Sequence, residues 1–171
     1  MLELNDVEEI ETIKICNIYG PVLHHKNQYF WRYLEELRGR VLHFRSTLAG
    51  DFNANYSLSE RRGGSNIIDP FGEMMEDLPA SWNLTDIKPR KGIFTWNNKR
   101  ICNIPIVTRI DWFLVSEHFL LKTTIPSTKI IPSSTFDHKP IILAFYSIEN
   151  FGPVHFKFNP SWCNVPIPHY D

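Results

Sequence analysis

Apolar and polar residues alternate from Thr12 to Ile18, and β-branched side chains are frequent there, so the pattern predicts a strand over 12–18. Tyr19-Gly20-Pro21 closes it as a turn. Over 26–38 the period changes to that of a helix. Tyr29, Phe30, Tyr33, Leu34 and Leu37 fall on one stripe, Arg32, Glu35, Glu36 and Arg38 lie elsewhere, and Gly39 suits the C-terminal cap. A short strand over 44–49 then delivers Gly50-Asp51-Phe52-Asn53. The polar stretch 54–68 reads as a surface loop. Asp69-Pro70 can start a second helix with Phe71, Met74, Met75 and Leu78 inward and Pro79 as its stop. Strand patterns follow at 93–96, 108–115, 121–130 and 140–147. The proline-bearing stretch 148–171 reads as an irregular tail. The order β-α-β-α followed by several strands predicts a layered α/β protein with mixed sheets.

Composition narrows this little. The chain has 171 residues, enough for one domain, and 43% hydrophobic and 22% charged residues are ordinary for a soluble globular protein. The net charge of −1 lacks the basic excess of a protein that grips nucleic acid over a broad surface, and leaves room for a local basic patch. Cys16, Cys102 and Cys163 have no metal-type spacing and are an odd number, which points to a reducing, intracellular setting. The acidic start lacks the order of a signal peptide, and no apolar run approaches the roughly 18–20 residues of a membrane span.

Candidate chemistry sits at predicted strand ends, where a rigid sheet presents side chains at one rim. These positions are Asn17 with Tyr19, Asp51 with Asn53, Asp111, and Asp137 with His138. Carboxylates, an imidazole, amides and a phenol on one rim suit phosphoryl chemistry: carboxylates hold a hard cation such as Mg²⁺, and a carboxylate or imidazole takes a proton from water. Each feature also has a plainer reading. Asp51-Phe52-Asn53 could be an Asx turn, Asp137-His138 a solvated turn, and Tyr19 a packing residue. Asp111 is the least easily dismissed, because a carboxylate in the apolar run Ile110-Asp111-Trp112-Phe113-Leu114 needs a partner, and Arg109 would face the opposite side of the strand.

Taken in order, Asn17-Ile-Tyr19-Gly-Pro21, Ala49-Gly-Asp51-Phe-Asn53, Phe94-Thr-Trp96, Arg109-Ile-Asp111-Trp112 and Asp137-His138-Lys-Pro140-Ile resemble the endonuclease/exonuclease/phosphatase family. That superfamily includes deoxyribonuclease I-like enzymes, abasic-site endonucleases and retrotransposon endonucleases. The match runs from residue 12 to about 146. Arg61-Arg62-Gly63-Gly64, and Gly152-Pro-Val-His-Phe-Lys-Phe158 with Trp162, are similar to LINE-type (non-LTR) endonucleases.

The resemblance implies a four-layer α/β sandwich, two packed mixed β-sheets flanked by helices, with residues 1–147 as a partial domain lacking its N-terminal strands. It implies a Mg²⁺- or Mn²⁺-dependent phosphodiesterase with DNA as substrate; no membrane association is expected from the apolar pattern, and the sequence names no obligate protein partner. Asp51 would activate water or serve the leaving group, Asn53 and Tyr19 would hold the phosphate, and His138, oriented by Asp111, would stabilise charge in the transition state. Asp137 would help hold the metal, while Asn17 and Trp96 would support substrate. The family pattern also places an Asn and a principal metal-ligating Glu on strands before Tyr19. Only 18 residues precede Tyr19, and Glu3, Glu8, Glu9 and Glu11 read as a solvated acidic leader, so impaired metal binding and weak or absent activity are expected. The family's Ser before Asp-His is replaced by Phe136. The alternatives are a non-catalytic retroelement relic that at most binds nucleic acid, and a phosphatase of phospholipids or inositol phosphates.

Overall fold

The computed structural model describes residues 1–5, 12–23, 26–41, 45–54, 57–64, 72–100, 105–121, 126–133 and 135–145, the side chain of Glu73 excepted. The alternating segment forms β2 (Thr12–Tyr19), with Cys16 and Ile18 buried and Asn17 and Tyr19 exposed. Ahead of it runs a strand that the polar side chains conceal, β1 (Leu2–Asn5), paired antiparallel with Leu2 opposite Ile15 and Leu4 opposite Ile13. The start of the chain is therefore more than a solvated leader. The side chain of Glu3 remains in water, 3.7 Å from Lys14, while its backbone joins the sheet. Glu8, Glu9 and Glu11 lie outside the described residues.

The first helix, α1 (Asn27–Val41), runs two residues past Gly39. Its buried stripe is Asn27, Trp31, Leu34, Leu37 and Val41, whereas Tyr29 and Tyr33 are 72% and 59% exposed. The stripe is thus rotated from the predicted one, and burial of Val41 draws the last turn into the helix, so Gly39 is an ordinary helical residue and no cap. α1 crosses over to β3 (Arg45–Asp51), which pairs parallel with β2, completing a βαβ unit. β8 (Asp111–Ser116) pairs antiparallel with the other edge of β3, and β5 (Leu84–Asp86) pairs with β8. The resulting sheet has the order β1-β2-β3-β8-β5.

The second helix, α2 (Gly72–Ser81), buries Met75 and Leu78 but leaves Met74 exposed. Pro79 lies inside it and does not stop it. The carbonyl of Leu78 accepts both the Trp82 backbone N–H at 3.1 Å and the Ser81 hydroxyl at 3.2 Å, so the chain stays closed after the proline. Asp69, Pro70 and Phe71 lie outside the described residues.

The predicted surface loop 54–68 carries structure of its own where it is described. A 3-10 turn (Leu58–Glu60) leads into β4 (Arg61–Arg62), and Glu60 is fully buried. β4 pairs with β7 (Val107–Thr108), and β7 with β6 (Trp96–Asn97), giving a three-stranded sheet. The predicted strand 108–115 is therefore split between two sheets. At the break, Arg109 N–H donates to Glu60 O at 2.9 Å and Ile110 O accepts from Phe52 N–H at 2.9 Å, which takes both residues out of either ladder. The predicted strand 121–130 begins later, as β9 (Ser127–Ile130), with a short helix α3 (Glu117–Leu120) before it. β9 pairs with β10 (Ile141–Ala144), and 146–171 lie outside the described residues.

These elements form a mixed α/β fold with several sheets. One face of the five-stranded sheet packs against α1 and α2 through Cys16, Ile18, Leu48, Trp112 and Leu114. On the other, Val115 and Phe113 meet Phe119 of α3 and Leu143 of β10, so strands of a second sheet pack on it.

Candidate active site

Three strands end side by side. Tyr19 of β2 is in register with Asp51 of β3, and Asp51 with Asp111 of β8, so the three side chains emerge on the same face at the same level. Two glycines permit this. Gly20 N–H donates to Asp51 O at 2.6 Å, and a Cβ on Gly20 would run into the Phe52 carbonyl. Gly50 has φ +136°, a conformation that side-chain-bearing residues rarely adopt, and a Cβ there would strike the carbonyl of Ile18.

His138 arrives from the loop before β10. Its Nδ1 lies 3.1 and 3.3 Å from the two Asp111 carboxylate oxygens, and its Nε2 lies 3.7 Å from Asp51 Oδ2. The imidazole therefore bridges the two carboxylates. With Nδ1–H donated to Asp111, Nε2 is the nitrogen turned toward Asp51. Asp51, Asp111 and His138 each offer a ligand atom, and these atoms lie within 4.8 Å of one another. Burial pushes the Asp51 carboxyl above its ordinary value; the Asn53 backbone N–H opposes this, and the neighbouring charge of Asp111 adds to it.

Tyr19, Asp51, Asp111, Asp137 and His138 line one open cleft of about 430 Å³, joined by Phe136 and Lys139. Tyr19 is 74% exposed there. Asp137 stands apart from the three-residue cluster. Its carboxylate accepts the Trp96 indole N–H at 3.3 Å and the His138 backbone N–H at 3.1 Å. Desolvation pushes its carboxyl up, and these two donors with its own backbone N–H outweigh that, leaving it below the usual carboxylate range.

Three further candidates do not line the cleft. Asn53, at φ 50°, donates its amide to Gly20 O at 2.7 Å, and its backbone N–H caps Asp51 Oδ1 at 2.9 Å, so the Asx-turn reading of Asp51-Phe-Asn53 describes a contact that is present. Asn17 shares the Tyr19 face two residues earlier, with its oxygen beside Gly50. Trp96 bridges to His138 through the backbone and steadies Asp137 through its indole.

Sequence reasoning missed the hub of this arrangement. Thr95 is fully buried, and its hydroxyl accepts the backbone N–H groups of Ile110 and Asp111, both at 3.2 Å. Its carbonyl accepts Lys139 N–H at 2.7 Å. One residue thereby fixes the backbone on both sides of the Asp111–His138 pair. The signal was a lone Thr between two aromatics, Phe94 and Trp96, which pattern alone reads as strand. Arg109 is equally built in. Its guanidinium bonds Glu60 at 3.0 Å and both oxygens of Asp86, and stacks 4.0 Å above the Trp112 ring. Burial pushes that guanidinium down, and the two carboxylates outweigh burial and raise it.

No family model and no curated protein matches the sequence. Solved structures do. The 3′-5′ exonuclease NExo from Neisseria meningitidis superposes with a TM-score of 0.60 at 19% identity, over 77% of this chain and 60% of that one. The fold is that of the endonuclease/exonuclease/phosphatase proteins. An AP endonuclease from Archaeoglobus fulgidus gives 0.61 at 16% identity, over 78% of this chain and 61% of that one. The endonuclease domain of TRAS1, a telomere-specific non-LTR retrotransposon, gives 0.58 at 14% identity, over 86% of this chain and 63% of that one. The chain thus spans about 60% of the length of these solved proteins with the endonuclease/exonuclease/phosphatase fold. Among the described residues, no helix is long and apolar enough to cross a membrane.

Proposed function

We propose that this chain is a phosphodiesterase domain acting on DNA, of retrotransposon-endonuclease type, with Asp51 and His138 at the reacting centre. The observation that carries the reading is the bridge from Asp111 through the His138 imidazole to Asp51, at the ends of adjacent strands. Asp111 holds the ring through Nδ1 and fixes its orientation and tautomer. Nε2 faces the cleft, where it can donate to a phosphate oxygen as charge builds. Asp51, whose proton affinity is raised by burial, can take a proton from an attacking water. Tyr19, exposed in the same cleft, is placed to hydrogen-bond a phosphate oxygen.

The donor set fits a hard divalent cation, Mg²⁺ or Mn²⁺. Asp51 and Asp111 would supply charged oxygens from paired strand positions, and a bound cation would offset the burial, and to a lesser degree the Asp111 charge, that raise Asp51. Asp137, on the same cleft, can ligate directly or through water. When bound, the ion polarises the phosphate and stabilises the leaving oxygen. With this carboxylate set, the one found among the described residues, we expect slow turnover. DNA is favoured over a phospholipid because nucleases recur among the structural matches, and the Neisseria protein has also been solved as a 3′ phosphatase bound to a product DNA hairpin.

Nicking of supercoiled plasmid tests the proposal. Slow nicking that needs Mg²⁺ or Mn²⁺, stops with chelator and falls at least about 100-fold in Asp51→Ala is the expected result. Nicking that persists in Asp51→Ala, or none at any protein concentration with either metal, refutes the catalytic reading.

A further inference from the structure

Between β7 and β8 the chain leaves both ladders at Arg109 and Ile110, and three distant segments hold it there. Glu60 O accepts the Arg109 backbone N–H at 2.9 Å and the Thr108 hydroxyl at 3.2 Å. Thr95 Oγ1 accepts the Ile110 and Asp111 N–H groups. Ile110 O accepts the N–H of Phe52, the residue after Asp51. Ile110 is thus bonded to the neighbour of one rim carboxylate and directly precedes the other. A backbone shift at this break would move Asp51 and Asp111 together, and with them the imidazole that Asp111 holds.

The break is anchored by buried charge. Arg109 Nη1 donates to Glu60 at 3.0 Å and to Asp86 at 2.8 Å, and Nη2 donates to the other Asp86 oxygen. Lys88 Nζ closes the group from the solvent side, 3.1 Å from Glu60 and 3.9 Å from Asp86. As a source of stability such a group is weak, because desolvation of the charges offsets much of their attraction. What it supplies is direction. A planar guanidinium with carboxylates on two fixed edges admits one orientation, and Glu60 engages Arg109 at its backbone and its side chain alike.

We propose that Glu60 and Asp86, acting through Arg109, are positioning residues that aim the Asp111 carboxylate at His138 Nδ1. The inference rests on the proposed function for the roles of Asp111 and His138. It goes beyond that reading by assigning part of the site's geometry to two carboxylates that do not line the cleft. A group that served packing alone would, on removal, lower stability and leave the imidazole as it is.

Glu60→Gln and Asp86→Asn each keep shape and remove one charge. NMR shifts of the His138 ring nitrogens, read on metal-free protein at a pH where the ring is neutral, report which nitrogen carries the proton. The Nδ1–H tautomer should predominate in the parent and lose population in both variants. Both should also nick plasmid with kcat at least about ten-fold lower and KM little changed, as a displaced but intact site would. Leu37→Ala, in the core on the helix face, loses stability by cavity formation and should leave tautomer and kcat as in the parent. A parent-like tautomer in folded Glu60→Gln and Asp86→Asn overturns the proposal, and so does an equal tautomer shift in Leu37→Ala. Asp86 sits at the partly exposed end of the group, so Asp86→Asn carries the test where Glu60→Gln fails to fold. Parent nicking with an unmoved tautomer in the variants rejects the positioning role alone. A tautomer that moves in a chain that does not nick rejects the catalytic reading alone.

Discussion

The two faces of the five-stranded sheet carry different work although they share the same strands. Toward α1 and α2, Cys16, Ile18, Leu48, Trp112 and Leu114 are all nearly or wholly buried in one cluster. Toward the other side, the positions between them are Asn17, Tyr19, Ala49, Asp51, Asp111 and Phe113, which grade from an apolar contact with β10 to a polar rim. Asp111 and Trp112 are neighbours in the chain and serve opposite ends of this division. Period-two alternation lets one short strand build a core with one set of residues and a site with the other. A slip of one residue in register would exchange them.

The sharpest way to break the comparison is to substitute these two neighbours in turn. Trp112 is fully buried, with the Arg109 guanidinium on its ring. Trp112→Ala should cost about 3–5 kcal/mol, from lost burial plus the cavity left behind. Asp111→Asn keeps the shape and a hydrogen bond to His138 and should stay within about 1 kcal/mol of the parent. Urea unfolding of both variants checks this. Comparable losses would mean that the polar face is as much a structural element as the helix face.

A smaller effect probes how the two faces are held in register. Thr95→Val removes the hydroxyl that accepts the Ile110 and Asp111 backbone N–H groups, at constant volume. Leaving these donors unmatched should cost about 1–3 kcal/mol, whereas Thr95→Ser, which keeps the acceptor, should cost less. Thr95 is a positioning residue, so stability alone does not identify its role. Imidazole NMR titration of His138 should change in Thr95→Val and return in Thr95→Ser. An unchanged titration in Thr95→Val reduces Thr95 to a packing residue.

How much of this was legible depends on how local each cause is. β2, the β2–α1–β3 unit and the rim residues Tyr19, Asp51, Asp111 and His138 announce themselves through short-range pattern, because alternation and strand-end motifs are properties of a few neighbouring residues. β1 escaped because Leu2 and Leu4 are separated by a charge, and only pairing with Ile13 and Ile15 gives them a place. The α1 stripe was rotated because periodicity cannot say which of Tyr33 or Trp31 meets the sheet. The split of β7 from β8 depends on Glu60 and Phe52, each more than 45 residues from Arg109 or Ile110. Buried Glu60 was hidden for the same reason: a carboxylate in a polar loop looks solvated until Arg109 is placed against it.

The smallest predicted effect is in the acid pH range and belongs wholly to the polar face. Burial raises the folded-state pKa of Asp51 above its ordinary value, with the Asn53 N–H opposing and Asp111 reinforcing. Between the ordinary carboxylate value and that raised one, the folded chain binds more protons than the unfolded chain. Stability therefore falls as pH rises through this window, and the penalty persists above it. Asp51→Asn removes the titrating group, so the variant should melt above the parent at neutral pH, and the difference should shrink as pH falls below the window. Melting curves of both chains across pH measure it, and a difference that grows toward acid would contradict the assignment. Mg²⁺ or Mn²⁺ supplies the complementary test. A cation that binds between Asp51 and Asp111 in the folded state alone should raise the melting temperature of the parent with concentration and have little effect on Asp51→Asn. On the helix face, the titratable Cys16 is pushed further up by burial, so its thiol stays neutral throughout the window in which Asp51 responds.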